Sequence, residues 1–216
     1  MKYLESKIDI RIVAFDFDGT LSHNGSSWRK LHRYFGTKEK SRINLELYEK
    51  GEIDYKEFMR RDISAWPNDL HISKVREIVS DGFQLNPDAG HVISEIKKRG
   101  LKVAIISAGL DVLISKIGEE LGADHVIANG FETDGEGFLT GEGIFRVDLI
   151  RKDLALLSLL DSIGLSAEQC LSVGDSKYDS NFLKASGRSV AIHGDEELER
   201  VATHVLTNLT DVLKYI

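Results

Sequence analysis

The sequence predicts an α/β fold: a doubly wound parallel sheet with a small all-helical segment inserted after its first strand. Three observations predict it. From Phe83 onward, apolar runs of strand length alternate with stretches of helical periodicity, the pattern of a parallel sheet covered on both faces. The first apolar run, Ile12-Val13-Ala14-Phe15, is unbroken, as a strand buried on both faces requires. Between Ser22 and Asp81 no alternating strand pattern occurs, and the apolar residues recur at helical spacing.

In order, residues 12–15 form the first strand and run into Asp16-Phe17-Asp18-Gly19-Thr20, where Gly19 and Thr20 signal a turn. Trp28, Leu31, His32 and Phe35 fall at i, i+3, i+4 and i+7, and Gly36 is placed to stop that helix. Tyr55, Phe58, Met59 and Ile63 repeat the spacing. Ile72, Val75, Ile78 and Val79 repeat it more loosely, followed by Gly82. The expected division is therefore a core of residues 1–21 and 83–216 and a helical domain of residues 22–82. Pro87 suits the first turn of a helix ending at Gly100. Residues 101–106 read as a buried strand. Leu110, Leu113, Ile114, Ile117 and Leu121 form a helical stripe closed by Gly122. A short strand over 125–128 precedes a glycine-rich hairpin over 131–145. Leu156, Leu159, Leu160 and Ile163 mark a helix. Residues 170–173 and 189–192 read as strands flanking a helix over 178–185, followed by a helix over 196–201 and a short strand at Val205-Leu206.

Composition limits what such a protein does. The formal charge of −7 opposes non-specific nucleic-acid binding. No apolar run approaches the roughly 20 residues of a membrane span, and the first residues lack a signal-peptide core. One cysteine, Cys170, rules out an internal disulfide and suits a reducing, cytoplasmic setting. The expectation is a protein without nucleic-acid or membrane partners, a monomer or homodimer.

Chemistry-bearing residues cluster at the ends of the expected strands. Asp16 and Asp18 follow the first. Ser107, then Ala108 and Gly109, follows the second. Lys152 opens the leucine-rich helix, and Gly174-Asp175-Ser176-Lys177-Tyr178-Asp179 follows the strand at 170–173. In open parallel sheets ligands bind outside the carboxyl ends of the strands, so these groups would converge on one edge. Four carboxylates crowd together only when cations hold them. Oxygen ligands alone suit Mg²⁺, which takes one or two carboxylates plus a substrate phosphate. The seven histidines show no zinc-ligand spacing.

In their order and spacing these four groups resemble the motifs of the haloacid dehalogenase superfamily. The echoes Ser107-Ala108-Gly109, Ala128-Asn129-Gly130, Leu139-Thr140-Gly141 and Gly174-Asp175-Ser176 are similar to its phosphoserine phosphatase-like branch. The resemblance implies a Rossmannoid core, with residues 22–82 as a helical cap, and a Mg²⁺-dependent phosphatase acting on a small phosphorylated metabolite. It implies Asp16 as nucleophile forming an aspartyl phosphate, Asp18 as general acid and base, and Ser107 and Lys152 as phosphate partners. Asp16, Asp18 through its backbone carbonyl, and Asp175 would hold the metal, with Asp179 ligating or supporting it. Thr20, Ala108 and Gly109 would border the substrate.

Some positions depart from that branch. The glutamate that usually follows the first motif and reads the substrate amine is missing from residues 22–27. The arginine that reads the substrate carboxylate corresponds to Arg61, or to Arg60, and Tyr178 stands where the branch commonly has asparagine. Altered substrate recognition is the expectation, with Trp28, Arg29, Tyr55, Arg61 and Trp66 as cap residues for substrate contact. A sugar phosphate, pyridoxal phosphate or thio-sugar phosphate remains open as substrate. So does a non-catalytic phosphoacceptor module, which Asp18 argues against.

Overall fold

The computed structural model describes residues 9–23 and 25–216. Residues 1–8 of the expected core and Asn24 of the expected helical domain lie outside the described residues. In chain order the strands are β1 (Ile12–Phe15), β2 (Lys102–Leu110), β3 (His125–Thr133), β4 (Leu139–Ile144), β5 (Cys170–Gly174), β6 (Arg188–Ile192) and β7 (His204–Leu206). The helices are α1 (Ser27–Tyr34), α2 (Lys38–Glu49), α3 (Tyr55–Ile63), α4 (Ile72–Ser80), α5 (Ala89–Lys98), α6 (Asp111–Leu121), α7 (Lys152–Ser162), α8 (Ser180–Lys184) and α9 (Glu196–Glu199).

The strands form one sheet in the order β4-β3-β2-β1-β5-β6-β7, parallel throughout except for the antiparallel β3–β4 pair. β1 lies at its centre, with Phe15 in register with Ile105 on one side and Val173 on the other. All four β1 residues are buried because helices cover both faces. Val13 and Phe15 pack with Val92, Ile93 and Ile96 of α5 and Ile114 of α6. Ile12 and Ala14 point the other way, toward Leu156 and Leu160 of α7 and Phe182 of α8.

Helices α1 to α4 lie between β1 and α5. Ser26 caps α1, and Asp54 caps α3 by accepting from Glu57 N at 2.8 Å. Helix α2 has no counterpart in the sequence reading. It buries only Asn44 and Tyr48, so it has no apolar stripe to announce it. Charge pairs between Arg42 and Glu39 and between Arg42 and Glu46 support its exposed face.

Two further differences concern the sheet. β2 continues past Ile106 to Leu110, with its register to β3 shifting between Ser107 and Leu110. β3 runs unbroken to Thr133 and itself becomes the first arm of the hairpin. The buried Asn129 makes this possible. Its Nδ2 donates to Ala108 O (3.1 Å) and Val147 O (2.8 Å), and its Oδ1 accepts from the Arg146 and Val147 amides (both 2.8 Å). Backbone groups that the irregular ladder leaves unpaired are thereby satisfied. The hairpin docks on the helical segment: Ile72 N donates to Gly137 O and Leu139 N to Leu70 O, both at 2.9 Å.

Candidate active site

The chain turns sharply after β1. Leu21 N and Ser22 N both donate to Phe17 O, and Gly19 takes φ +99°. A Cβ on Gly19 would lie 2.1 Å from Asp175 Oδ2, so only glycine lets the two loops approach this closely. The turn leaves Asp16 and Asp18 at the carboxyl edge of the sheet, both lining a cavity of about 220 Å³.

Lys152, at the first position of α7, reaches under that edge. Its Nζ stands 2.7 Å from Asp16 Oδ1 and 2.6 Å from Asp179 Oδ1, with the lysine and Asp16 side chains 4% exposed and Asp179 fully buried. Asp179 is held in turn by the loop after β5. Its Oδ2 accepts from Asp175 N (3.2 Å) and Ser176 N (3.1 Å). Thr20 Oγ1 donates to Asp175 Oδ1 at 3.0 Å. Asp18 Oδ2 accepts from Ser27 N at 3.2 Å, at the start of α1. Ser107 Oγ accepts from Gly109 N at 3.1 Å, which leaves its hydroxyl proton for another acceptor.

Burial and mutual repulsion set the charge states. Burial lifts the Asp16 carboxyl to about 6, with Lys152 pulling it back and Asp179 adding to the rise. Burial, then the Asp16 charge, lifts Asp18 to about 7. Burial, then Asp16 and Asp179, lifts Asp175 to about 8. Burial opposes the charge on Lys152, but the Asp16 and Asp179 carboxylates outweigh it and hold the ammonium above its ordinary value.

Asp16, Asp175 and Asp179 each offer a carboxylate oxygen, all within 4.8 Å of one another. Asp16 Oδ1 is buried and receives no well-directed hydrogen bond, although Lys152 Nζ is 2.7 Å away. Three buried or half-buried carboxylates whose oxygens converge this closely, with one ammonium among them, fit a hard divalent cation.

Of the residues expected at the site, Asp16, Asp18, Ser107, Ala108, Gly109, Lys152 and Asp175 line the cavity. Asp179 lies directly behind Lys152, and Thr20 touches Asp175 rather than the cavity. Arg61 is not brought in. It pairs with Glu57 at 2.7 Å on the exposed side of α3, about a hundred degrees round the helix from its neighbour Asp62, which does line the cavity. Arg60 pairs with the same glutamate at 2.7 Å. Trp66 is buried between Trp28, His32 and Phe131 instead of facing the cavity. Trp28, Arg29 and Tyr55 do face it. Ser41 and Leu45 were missed with α2, although they stand one turn apart on its inner face. Phe58 and Asp62 carry the signal of spacing from Tyr55 along α3.

A doubly wound α/β protein with a carboxylate cluster and a buried lysine at the carboxyl edge of its sheet is the class these observations define. The family model for haloacid dehalogenase-like hydrolases matches residues 13–184, and the chain belongs to that family. It is 31% identical over 215 residues to the phosphoserine phosphatase of Methanocaldococcus jannaschii, covering 95% of this chain and 97% of that one. It is 30% identical over 200 residues to the phosphoserine phosphatase of a Polaromonas species, covering 90% and 84%. A solved structure described as a phospho-aspartyl intermediate analogue of phosphoserine phosphatase superposes with a TM-score of 0.79 at 28% identity, covering 96% of this chain and 99% of that one. Within the family the chain falls in the phosphoserine phosphatase-like branch and is a phosphoric monoester hydrolase. Among the described residues no helix is long and apolar enough to cross a membrane.

Proposed function

We propose that the protein hydrolyses a small phosphomonoester in a Mg²⁺-dependent reaction that passes through a phosphoryl group on Asp16, and that its substrate recognition differs from that of phosphoserine phosphatases. The observation that carries this reading is the pair Asp16 and Asp18, two buried carboxylates two residues apart on one cavity, with Lys152 Nζ 2.7 Å from the first. The phosphoserine phosphatases it resembles and the phospho-aspartyl analogue structure support the phosphatase chemistry, while the altered recognition rests on the glutamate missing from residues 22–27 and on Arg61 being turned to Glu57.

Each residue then has a task. An Asp16 oxygen attacks phosphorus, and the bond to the leaving alcohol breaks. Asp18, whose raised carboxyl holds a proton near neutrality, gives that proton to the departing oxygen. Asp18 then takes a proton from water as the water attacks the phosphoryl group, releasing phosphate and restoring Asp16. Lys152 and Ser107 bind phosphoryl oxygens, and Lys152 also offsets the repulsion between Asp16 and the incoming anion. Asp16, Asp175 and the Asp18 carbonyl would hold Mg²⁺, which supplies positive charge to the phosphoryl oxygens. Asp179, whose oxygens accept from Lys152 and the loop amides, would ligate the metal or hold Lys152 and the Asp175 loop in place beside it. Residues 22–82 act as a cap that closes the cavity over the substrate, against a core of residues 1–21 and 83–216.

The test is phosphate release from a panel of phosphomonoesters, with Mg²⁺ and with EDTA, by wild type and Asp16→Asn. Metal-dependent release that vanishes in the variant is the expected result. No release from any ester, with a stable phosphoryl group accumulating on Asp16, would make the protein a phosphoacceptor instead.

A further inference from the structure

The cavity is also walled by Trp28, Leu45, Tyr55 and Phe58, and among the described residues its lining carries one cation besides Lys152, namely Arg29. Its guanidinium makes no hydrogen bond or ion pair among the described residues, while its charge acts on both the Asp18 carboxyl and the Tyr178 hydroxyl. Arg29 stands in the first turn of α1, whose first amide, Ser27 N, is held by Asp18 Oδ2 at 3.2 Å, so the cation sits beside that carboxylate. Arg29 is exposed where it lines the cavity, so water solvates its guanidinium there and an anionic ligand seated in the cavity would take that water's place.

A second groove, of about 390 Å³, opens from the same wall. Arg29, Ser41 and Leu45 line both spaces, and Arg33, Lys38 and Arg42 line the groove beyond, with no acid among its lining residues. Arg42 is neutralised by Glu39 and Glu46. Arg33 and Lys38, like Arg29, make no ion pair among the described residues. On a chain of net charge −7 this is a concentrated positive strip leading to the site.

The cavity has nothing comparable for a positive group. Asp16, Asp18 and Asp175 belong to the cluster around Lys152. Asp62 is 1% exposed: Asn44 Nδ2 donates to its Oδ1 at 2.7 Å, and His32 Nε2 lies 3.0 Å from its Oδ2.

We propose that Arg29 sets substrate specificity, and that the natural substrate is a phosphomonoester whose alcohol half carries an anion, a carboxylate or a second phosphate, and no ammonium. This rests on the phosphatase reading above. The anion on the leaving group would meet the guanidinium, which a planar, oxygen-rich group suits best. Arg33 and Lys38 draw it in.

The test uses esters built on one short skeleton: phosphoglycolate, ethylene glycol bisphosphate, ethylene glycol monophosphate and O-phosphoethanolamine, with O-phosphoserine as the zwitterion. Relative kcat/KM is measured for wild type, Arg29→Gln and Arg29→Lys. The affinity of each compound for Asp16→Asn, with and without Arg29→Gln, is measured by calorimetry. The two anionic compounds distinguish a carboxylate from a phosphate. Wild type is expected to prefer at least one of them over the neutral monophosphate by about tenfold or more, and to rank O-phosphoethanolamine last. Arg29→Gln brings the anionic-to-neutral ratio close to one, mainly through KM, and Arg29→Lys keeps part of it. Equal turnover of neutral and anionic esters by wild type would overturn the proposal. So would a preference for O-phosphoserine over phosphoglycolate that survives Arg29→Gln. Cleavage without anion preference overturns this inference alone. Selective, Arg29-dependent binding without cleavage by wild type overturns the phosphatase reading and leaves the anion site standing.

Discussion

Lys152 Nζ stands 2.7 Å from Asp16 Oδ1, a buried ion pair whose two side chains are each 4% exposed. Removing one partner of such a pair strands the other in a poor solvent for charge. Lys152→Met is expected to lower stability by roughly 3–5 kcal/mol near neutral pH. Phosphate release should fall by roughly a hundredfold or more, the scale for losing one preorganised electrostatic partner. Adding Asp16→Asn should restore part of the stability and none of the activity. Urea denaturation of the single and double variants checks this, and additive losses would contradict it.

Metal binding and pH are linked through the carboxylates. In the metal-free protein Asp16, Asp18 and Asp175 sit near 6, 7 and 8, all above the ordinary 3.8. Folded protein therefore retains protons that the unfolded chain has released, and its stability falls as pH rises from about 4 to about 8. Mg²⁺ needs the ionised carboxylates, so its affinity rises across the same window and its binding releases protons. With EDTA the Tm should drop between pH 5 and 8, and added Mg²⁺ should raise it most at the alkaline end. Calorimetry in two buffers of different protonation heat measures the protons released.

Gly19 and Gly141 both take strongly positive φ, +99° and +96°, in different surroundings. A Cβ at Gly141 meets nothing within 4 Å, whereas at Gly19 it runs into the Asp175 carboxylate. Gly141→Ala should cost only the backbone strain, about 1–2 kcal/mol. Gly19→Ala should cost roughly 1–3 kcal/mol more and weaken Mg²⁺ binding, because Asp175 has to move. Equal effects of the two substitutions on metal affinity would show that Gly19 does not shape the site.

Glu49, at the end of α2, accepts from Lys177 Nζ at 2.9 Å and Tyr178 Oη at 2.8 Å, in the loop that also carries Asp175. The adjacent Tyr48 donates to Asp148 and accepts from Ile150 N at 3.3 Å. These contacts fasten α2 over the cavity. Glu49→Ala exposes little and should shift global stability by no more than about 1 kcal/mol. It should still lower kcat/KM several-fold and speed proteolysis within α2, because closure loses its fastening. Unchanged proteolysis and kinetics together would mean that the contact does not hold α2 in place.

The doubly wound core was legible because its strands are buried on both faces and so read as unbroken apolar runs. Asp16, Asp18, Ser107, Lys152 and Asp175 were legible because each follows a strand or opens a helix, where a parallel sheet gathers its ligand-binding groups. Helix α2 was not, since charge pairs rather than an apolar stripe support it, and Ser41 and Leu45 were lost with it. Arg61 looked equivalent to a substrate reader, yet the rotation of α3 turns it to Glu57 and presents Asp62 instead. The long β3 was hidden because the side chain of Asn129, rather than a backbone periodicity, satisfies the irregular ladder.

The sequence by itself determined the fold class, the family and the identity of the carboxylates and lysine, because strand burial and strand-end placement are written in local pattern. The fold alone settles which side chains line the cavity, and that Arg29, one of them, makes no ion pair among the described residues. Those facts depend on how helices from distant parts of the chain rotate and pack against the sheet edge, and no local pattern encodes that rotation.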